Sequence, residues 1–163
     1  DGTTVAALAV VNAWGDVLDE GGAVLAGAFD PREGFLGATR RVIELPPEHP
    51  RLAAPGSTTL ACVVTDGRLH KSECSIVARM AQAGVARAVS PAHTPLDGDA
   101  VFCLATGAHP VSTFACGVAA AEAVAAAIRD AVRSATSVRG VPTAADVPLR
   151  YSAIACTVRS APK

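Results

Sequence analysis

The chain is poor in aromatic residues (4%) and in charged ones (18%), and its net charge is only −1 at pH 7. No Lys/Arg cluster stands out, so the electrostatic footprint of a nucleic-acid partner is missing and small metabolites or peptides are the expected ligands. No apolar run reaches the roughly 18 residues that a bilayer span needs. The opening Asp1-Gly2-Thr3-Thr4 lacks the basic character of a secretory n-region. The expectation is therefore a soluble, cytoplasmic protein with no membrane partner. The five cysteines, Cys62, Cys74, Cys103, Cys116 and Cys156, are odd in number and show no CxxC spacing. That pattern indicates neither a zinc knuckle nor a disulfide framework, and reduced thiols serving as small core hydrophobes are expected. His49, His70, His93 and His109 stand singly, with no second histidine at ligand spacing, so no metal site is expected.

What is present is apolar bulk. Half of the 163 residues are hydrophobic, enough to fill the core of one domain. Val5 to Val11 is a continuous apolar run that reads as a buried strand ending in the Asn12-Ala13-Trp14-Gly15-Asp16 turn. Ala23 to Ala28 reads as a short strand paired with it through Asp19-Glu20-Gly21-Gly22, giving a hairpin. Residues 30 to 57, broken by Pro46-Pro47 and Pro50, read as a long loop ending at Gly56. Leu60 to Thr65 is the next strand. Lys71 to Val89 carries apolar residues at helical period and stops before Pro91. The strand Ala100 to Thr106, a helix over Thr113 to Ser137 and a last strand over Ser152 to Val158 complete the series. Strands and helices in this order predict an α/β layered sandwich.

Chemistry concentrates at strand ends. Ser57-Thr58-Thr59 follows the Pro55-Gly56 turn at the mouth of an apolar strand. A hydroxyl there becomes a nucleophile if the chain is cut just before it, because the freed α-amine, with a pKa of about 7.7–8.0, can accept the hydroxyl proton. Hydroxyl residues in this position are also ordinary turn and cap residues. Asp97 and Asp99 flank Gly98 at the entrance of a strand, where a two-residue spacing in extended chain points both carboxylates to one side. They are placed to orient a hydroxyl, to hold an ammonium group or to raise one another's pKa; a solvated Asp-Gly turn is the plainer reading. Asn12, at the end of the first strand, carries an amide able to donate to an oxyanion or simply to close a turn. His93, beside the Asp pair, reads as structural.

Taken together, Val10-Val11-Asn12-Ala13-Trp14-Gly15-Asp16-Val17, Thr58-Thr59-Leu60 through Val64-Thr65-Asp66, and His93-Thr94-Pro95-Leu96-Asp97-Gly98-Asp99-Ala100-Val101-Phe102 leading into Leu104-Ala105-Thr106-Gly107 resemble the L-aminopeptidase/D-esterase (DmpA) family. That family includes β-aminopeptidases and nylon-oligomer hydrolases. The resemblance is to the carboxyl-terminal half of the family and extends through the Ala-rich helix to Val141-Pro142. It implies an αββα sandwich of the type shared with ornithine acetyltransferase, an N-terminal-nucleophile amidohydrolase, no metal or organic cofactor, and assembly into oligomers.

Residue by residue, the resemblance implies that Thr58 is the nucleophile freed by autoproteolysis of the Ser57–Thr58 bond. Asp97 and Asp99 match the acidic pair of the nylon-oligomer branch, and Asn12 the asparagine of the oxyanion site. Residues 1–57 then close an α-subunit-like part and residues 58–163 form a β-subunit-like part of one domain. Family members commonly have Asn before the nucleophile, where Ser57 stands here, which leaves open a cut one bond earlier or none. The half of the fold that precedes Asp1 in the family, with a catalytic lysine or tyrosine, has no counterpart in the chain. A second chain or segment supplying it is expected, because the piece alone would expose a large apolar face. The substrate implied is a small peptide or other amide. An acyltransferase or amide-forming enzyme on the same acyl-enzyme, and a catalytically silent scaffold, are the alternative functions.

Overall fold

The structure, a computed structural model, describes residues 2–44 and 56–147. Its centre is β6 (Thr58–Gly67), a strand whose odd-numbered residues are buried. β6 lies between β1 (Val5–Asn12), to which it runs antiparallel, and β8 (Ala100–His109), to which it runs parallel. A parallel neighbour needs a crossover, and α2 (Lys71–Ala88) lies within that connection. α3 (Thr113–Arg133) packs beside α2, with α3 against β1 and α2 against β8.

Apolar residues at helical spacing make this layer. Val77, Ala81 and Val85 of α2 and Ala120, Val124 and Ile128 of α3 are fully buried and join Ala61 and Val63 of β6 in one core. The two helices approach through small residues. A Cβ built on Gly84 would collide with the Ala121 carbonyl, and one on Gly117 with the Met80 side chain. Polar groups tie the layer at its ends. Glu73 accepts from the His70 N–H (2.8 Å) and from the Thr113 hydroxyl (2.9 Å), joining the starts of α2 and α3. These hydrogen bonds hold its carboxyl below the usual range.

The other face of the same sheet carries no layer among the described residues. Leu8, Val10, Leu60, Val64, Phe102 and Leu104 are between 42% and 66% exposed there. The first strand is therefore half-buried, alternating in exposure, where the unbroken apolar run predicts burial on both sides. Its second face has nothing to pack on within the described chain.

The other elements are short. β2 (Asp16–Leu18) pairs with β3 (Val24–Ala26) and with β7 (Val89–Ser90) in a separate three-stranded sheet. The expected hairpin thus forms through the expected turn, held by Asp19 Oδ1 accepting from the N–H groups of Gly21 (2.8 Å) and Ala23 (2.7 Å), but its first strand is β2. β1 is committed to β6 over its whole length. Residues 30–57 are not loop throughout: β4 (Phe29–Asp30) and β5 (Gly34–Phe35) form a two-stranded ribbon and α1 (Ala38–Glu44) follows. The strand expected over Ser152–Val158 lies outside the described residues. The result is a mixed α+β fold. No described helix is long and apolar enough to cross a membrane.

Asp16, placed in a turn by the sequence, is 3% exposed at the start of β2 and accepts from the Ala38 N–H at 2.6 Å, capping α1. Burial raises its carboxyl pKa against the lowering effect of that hydrogen bond.

Alanine normally stabilises a helix relative to glycine by about 1 kcal/mol. At Gly84 the sign should reverse, and Gly84→Ala should destabilise by about 1–3 kcal/mol, read as a lower denaturant midpoint, because the added methyl meets backbone. The folded state holds the Asp16 proton to higher pH than the unfolded state does, so stability from this residue is fullest in acid and falls as pH rises above about 4. Asp16→Asn removes that loss, so the melting temperature of the variant relative to wild type should climb between acid and neutral pH; a flat or falling difference would contradict the assignment.

Candidate active site

The site forms where the end of β1, the start of β6 and the turn before β8 meet. Asn12 stands directly opposite Thr58 in the β1–β6 register, so their side chains leave the sheet on the same face. That is the open face of Leu8, Val10, Leu60, Phe102 and Leu104. Thr59 points the other way and is buried under the helices. Alternation along β6 therefore separates a threonine of the open face, Thr58, from a threonine of the core.

The β6–β8 register runs on past the strands. Ser57 bridges Asp97 in the same parallel register as the Leu60–Ala100 pair. The Gly98 N–H donates to the Ser57 carbonyl oxygen at 2.9 Å. One step on, the Thr59 N–H donates to Asp99 Oδ1 at 2.7 Å, a carboxylate taking the place of a backbone acceptor. The Asp99 side chain is 5% exposed, and its Oδ2 lies 3.9 Å from His93 Nδ1. His93 has a left-handed backbone (φ +56°), which turns the chain between β7 and β8 so that its ring lies against Asp99.

Asp97 is held differently. Its Oδ2 accepts from both the N–H and the hydroxyl of Thr94, each at 2.7 Å, and its own N–H donates to the Thr94 carbonyl at 3.1 Å. The two carboxylates thus accept from separate donors, Asp97 from its own turn and Asp99 from β6. Asn12 Nδ2 donates to the Gly56 carbonyl at 2.6 Å, one residue before the Ser57 carbonyl. All five residues singled out from the sequence, Asn12, Ser57, Thr58, Asp97 and Asp99, are brought to one end of one sheet.

Two contributors escaped sequence reasoning. Thr94 is signalled by the Thr94-x-x-Asp97 spacing of a side-chain-closed turn. Gly98 acts through main chain and lack of a side chain: a Cβ built there would sit 2.7 Å from Thr58 Oγ1. The described cysteines, Cys62, Cys74, Cys103 and Cys116, carry free thiols. Burial, reinforced by Cys74, pushes the Cys103 thiol up to about 12, so it stays protonated and is no nucleophile at neutral pH. Among the described residues no group of three or more His, Cys, Asp or Glu side chains is placed to hold a metal ion. A cavity of about 400 Å³ lies elsewhere, walled by Leu25, Phe29, Phe35, Val141 and Val147 and touching none of these residues.

Comparison with known proteins gives the same direction. The chain is 36% identical over 166 residues to an uncharacterized aminopeptidase of Mycobacterium tuberculosis, covering 90% of this chain and 48% of that protein. It is 39% identical over 169 residues to an uncharacterized aminopeptidase of Mycobacterium leprae, covering 87% of this chain and 44% of that protein. A 6-aminohexanoate-oligomer endohydrolase of a Kocuria species is 28% identical over 108 residues, 63% of this chain and 29% of that protein. The chain spans about half the length of the mycobacterial relatives it matches. The model of peptidase family S58 matches residues 1–145, from before β1 to beyond α3 and across every site residue named above. The chain therefore belongs to peptidase family S58, in agreement with the resemblance read from its motifs.

Proposed function

We propose that this chain is the nucleophile-bearing part of an amidohydrolase that matures by cutting its own Ser57–Thr58 bond. The observation that carries the reading is the convergence of Thr58 with Asn12, Asp97 and Asp99 at one strand end, on a chain whose family and named relatives are peptidases, aminopeptidases and oligomer endohydrolases. After the cut, Thr58 Oγ attacks the substrate amide carbonyl and the α-amine of Thr58 takes the hydroxyl proton. The leaving amine departs, and water releases the acyl group from the Thr58 ester. Asp99, fixed by the Thr59 N–H, holds the strand start in register and stands as counter-charge to the new ammonium group. Asp97 stiffens the turn that carries Asp99 and Gly98. Asn12 Nδ2 loses the fixed position of its present acceptor, Gly56, when the chain is cut, and becomes a donor for the substrate oxyanion.

The rest of the enzyme is a preceding segment or a second chain that lies on the open face of the β1–β6–β8 sheet, completing an αββα sandwich. Two facts support this: the chain spans about half of its relatives, and the apolar face runs straight up to Thr58 and Asn12. A contiguous apolar face of this kind is characteristic of a surface with a partner. The covering half would also wall the substrate site, making a small amino-acyl amide or a short peptide the fitting substrate class.

Intact mass of the complete protein should show fragments that end at Ser57 and begin at Thr58; an uncut chain sinks the proposal. Thr58→Ala should abolish the cut and lower amide hydrolysis by up to roughly 10⁶-fold, and retention of hydrolysis would rule out Thr58 as the nucleophile. Leu104→Glu removes a side chain whose burial is worth about 1.5–3 kcal/mol and adds a charge in mid-face. It should weaken assembly with the other half in a pull-down without unfolding this chain, and unchanged assembly would show that the partner lies elsewhere.

A further inference from the structure

The Ser57 carbonyl is the one that self-cleavage must attack, and its oxygen already has a donor. From this geometry we infer that the main-chain N–H of Gly98 is the oxyanion donor of the self-cleavage step, and that position 98 carries no side chain because Thr58 Oγ1 occupies the space beside it. The inference rests on the reading that the Ser57–Thr58 bond is cut. It adds a catalytic group that is separate from Asn12, whose amide is engaged one residue away on the Gly56 carbonyl.

Thr58 Oγ forms a bond to the Ser57 carbonyl carbon, and the π pair of that carbonyl moves onto its oxygen. That oxygen is the atom 2.9 Å from the Gly98 nitrogen. Collapse of the tetrahedral carbon breaks its bond to the Thr58 nitrogen, which takes the proton given up by Oγ. An ester between the Ser57 acyl group and Thr58 Oγ remains, together with a free α-amine. Water then adds to the ester carbonyl, the Ser57 carboxylate leaves, and Oγ regains a proton. A hydrogen bond at ordinary length to a neutral carbonyl strengthens as negative charge grows on the acceptor, so this donor favours the transition state over the ground state.

Three features make the placement more than an ordinary rung of the sheet. The pairing between β6 and β8 is interrupted around Thr58, with Ser57–Asp97 an isolated bridge before the continuous ladder begins at Leu60. The next donor along, the Thr59 N–H, is drawn off by the Asp99 carboxylate. The residue that supplies the donor is also the one whose missing Cβ leaves 2.7 Å of approach to the nucleophile oxygen. Donor and nucleophile are thereby set from one residue, on the two reacting ends of the same carbonyl.

The test replaces the Gly98 amide by an ester in the complete protein, using Gly98→glycolic acid made by ligation, and times the appearance of Thr58-terminal fragments after refolding. A matching ester at Arg68, whose N–H donates to the His109 carbonyl at 2.6 Å far from Thr58, controls for the loss of one backbone bond. The Gly98 ester should slow cleavage by about 10²–10³-fold, while the Arg68 ester cleaves at the wild-type rate with a similar melting temperature. Equal rates for the two esters overturn the inference and leave the processing reading intact. A Gly98 ester that fails to refold when the Arg68 ester refolds marks the bond as structural and also overturns it. Gly98→Ala keeps the sheet bond and tests the second part: cleavage should slow by up to about 10²-fold, and a wild-type rate would remove the steric argument. If the wild type itself is never cut at Ser57–Thr58, the proposed function and this inference fall together.

Discussion

The parallel alignment of β6 with β8 is the constraint on which the remaining structure depends. Two parallel strands cannot be joined by a tight turn, so the chain must cross over one face of the sheet, and α2 lies in that crossover. Once α2 covers that face, α3 can lie beside it and over β1, with glycine at 84 and 117 letting the two helices approach. Burial then acts on alternate residues of β6 only, which sends Thr59 into the core and Thr58 out of it. The same alignment, continued one bridge beyond the strands, puts Ser57 beside Asp97 and Gly98. A slip of one residue would exchange the faces of Thr58 and Thr59 and remove the site.

The elements legible in the sequence are those whose pattern is long and local. α2 and α3 declare themselves by helical period, and β1, β6 and β8 by apolar runs bounded by turn residues. What the sequence hides is pairing. Ala23 to Ala28 sits next to β1 in the chain and invites a hairpin with it, but that segment forms only the three-residue β3, and β1 pairs over its whole length with β6, more than forty residues on. The three-residue strand β2 carries no usable periodicity, and Asp16 looks like a turn residue until the α1 N–H that it accepts is known. The site divides the same way. Asn12, Thr58, Asp97 and Asp99 are recognisable because side chains carry their chemistry, and a motif series fixes their order. The Gly98 N–H is invisible because every residue but proline has one, and only the register shows where it points.

The carboxylates illustrate how position alters meaning. A two-residue spacing suggests two acids acting alike, yet one accepts from a threonine in its own turn and the other from the strand that begins at Thr58. Asp97 shapes the turn, and through the turn it sets the Gly98 N–H; Asp99 fixes the strand. Each is thus a positioning group at this end of the sheet. His93, held in a left-handed conformation beside Asp99, belongs to the same support.

The open apolar face and the site are two aspects of one surface. Thr58 and Asn12 stand at its end, and Leu60, Phe102 and Leu104 continue it across the sheet. Covering that face removes apolar area from water, which supplies binding free energy in proportion to area. It would also remove water from around Thr58, and hydrogen bonds to a developing oxyanion gain strength as the local dielectric falls. If the proposed second half lies on this face, assembly and activation are coupled by geometry: the contact that hides Leu60, Phe102 and Leu104 is also the one that closes over Thr58 and Asn12.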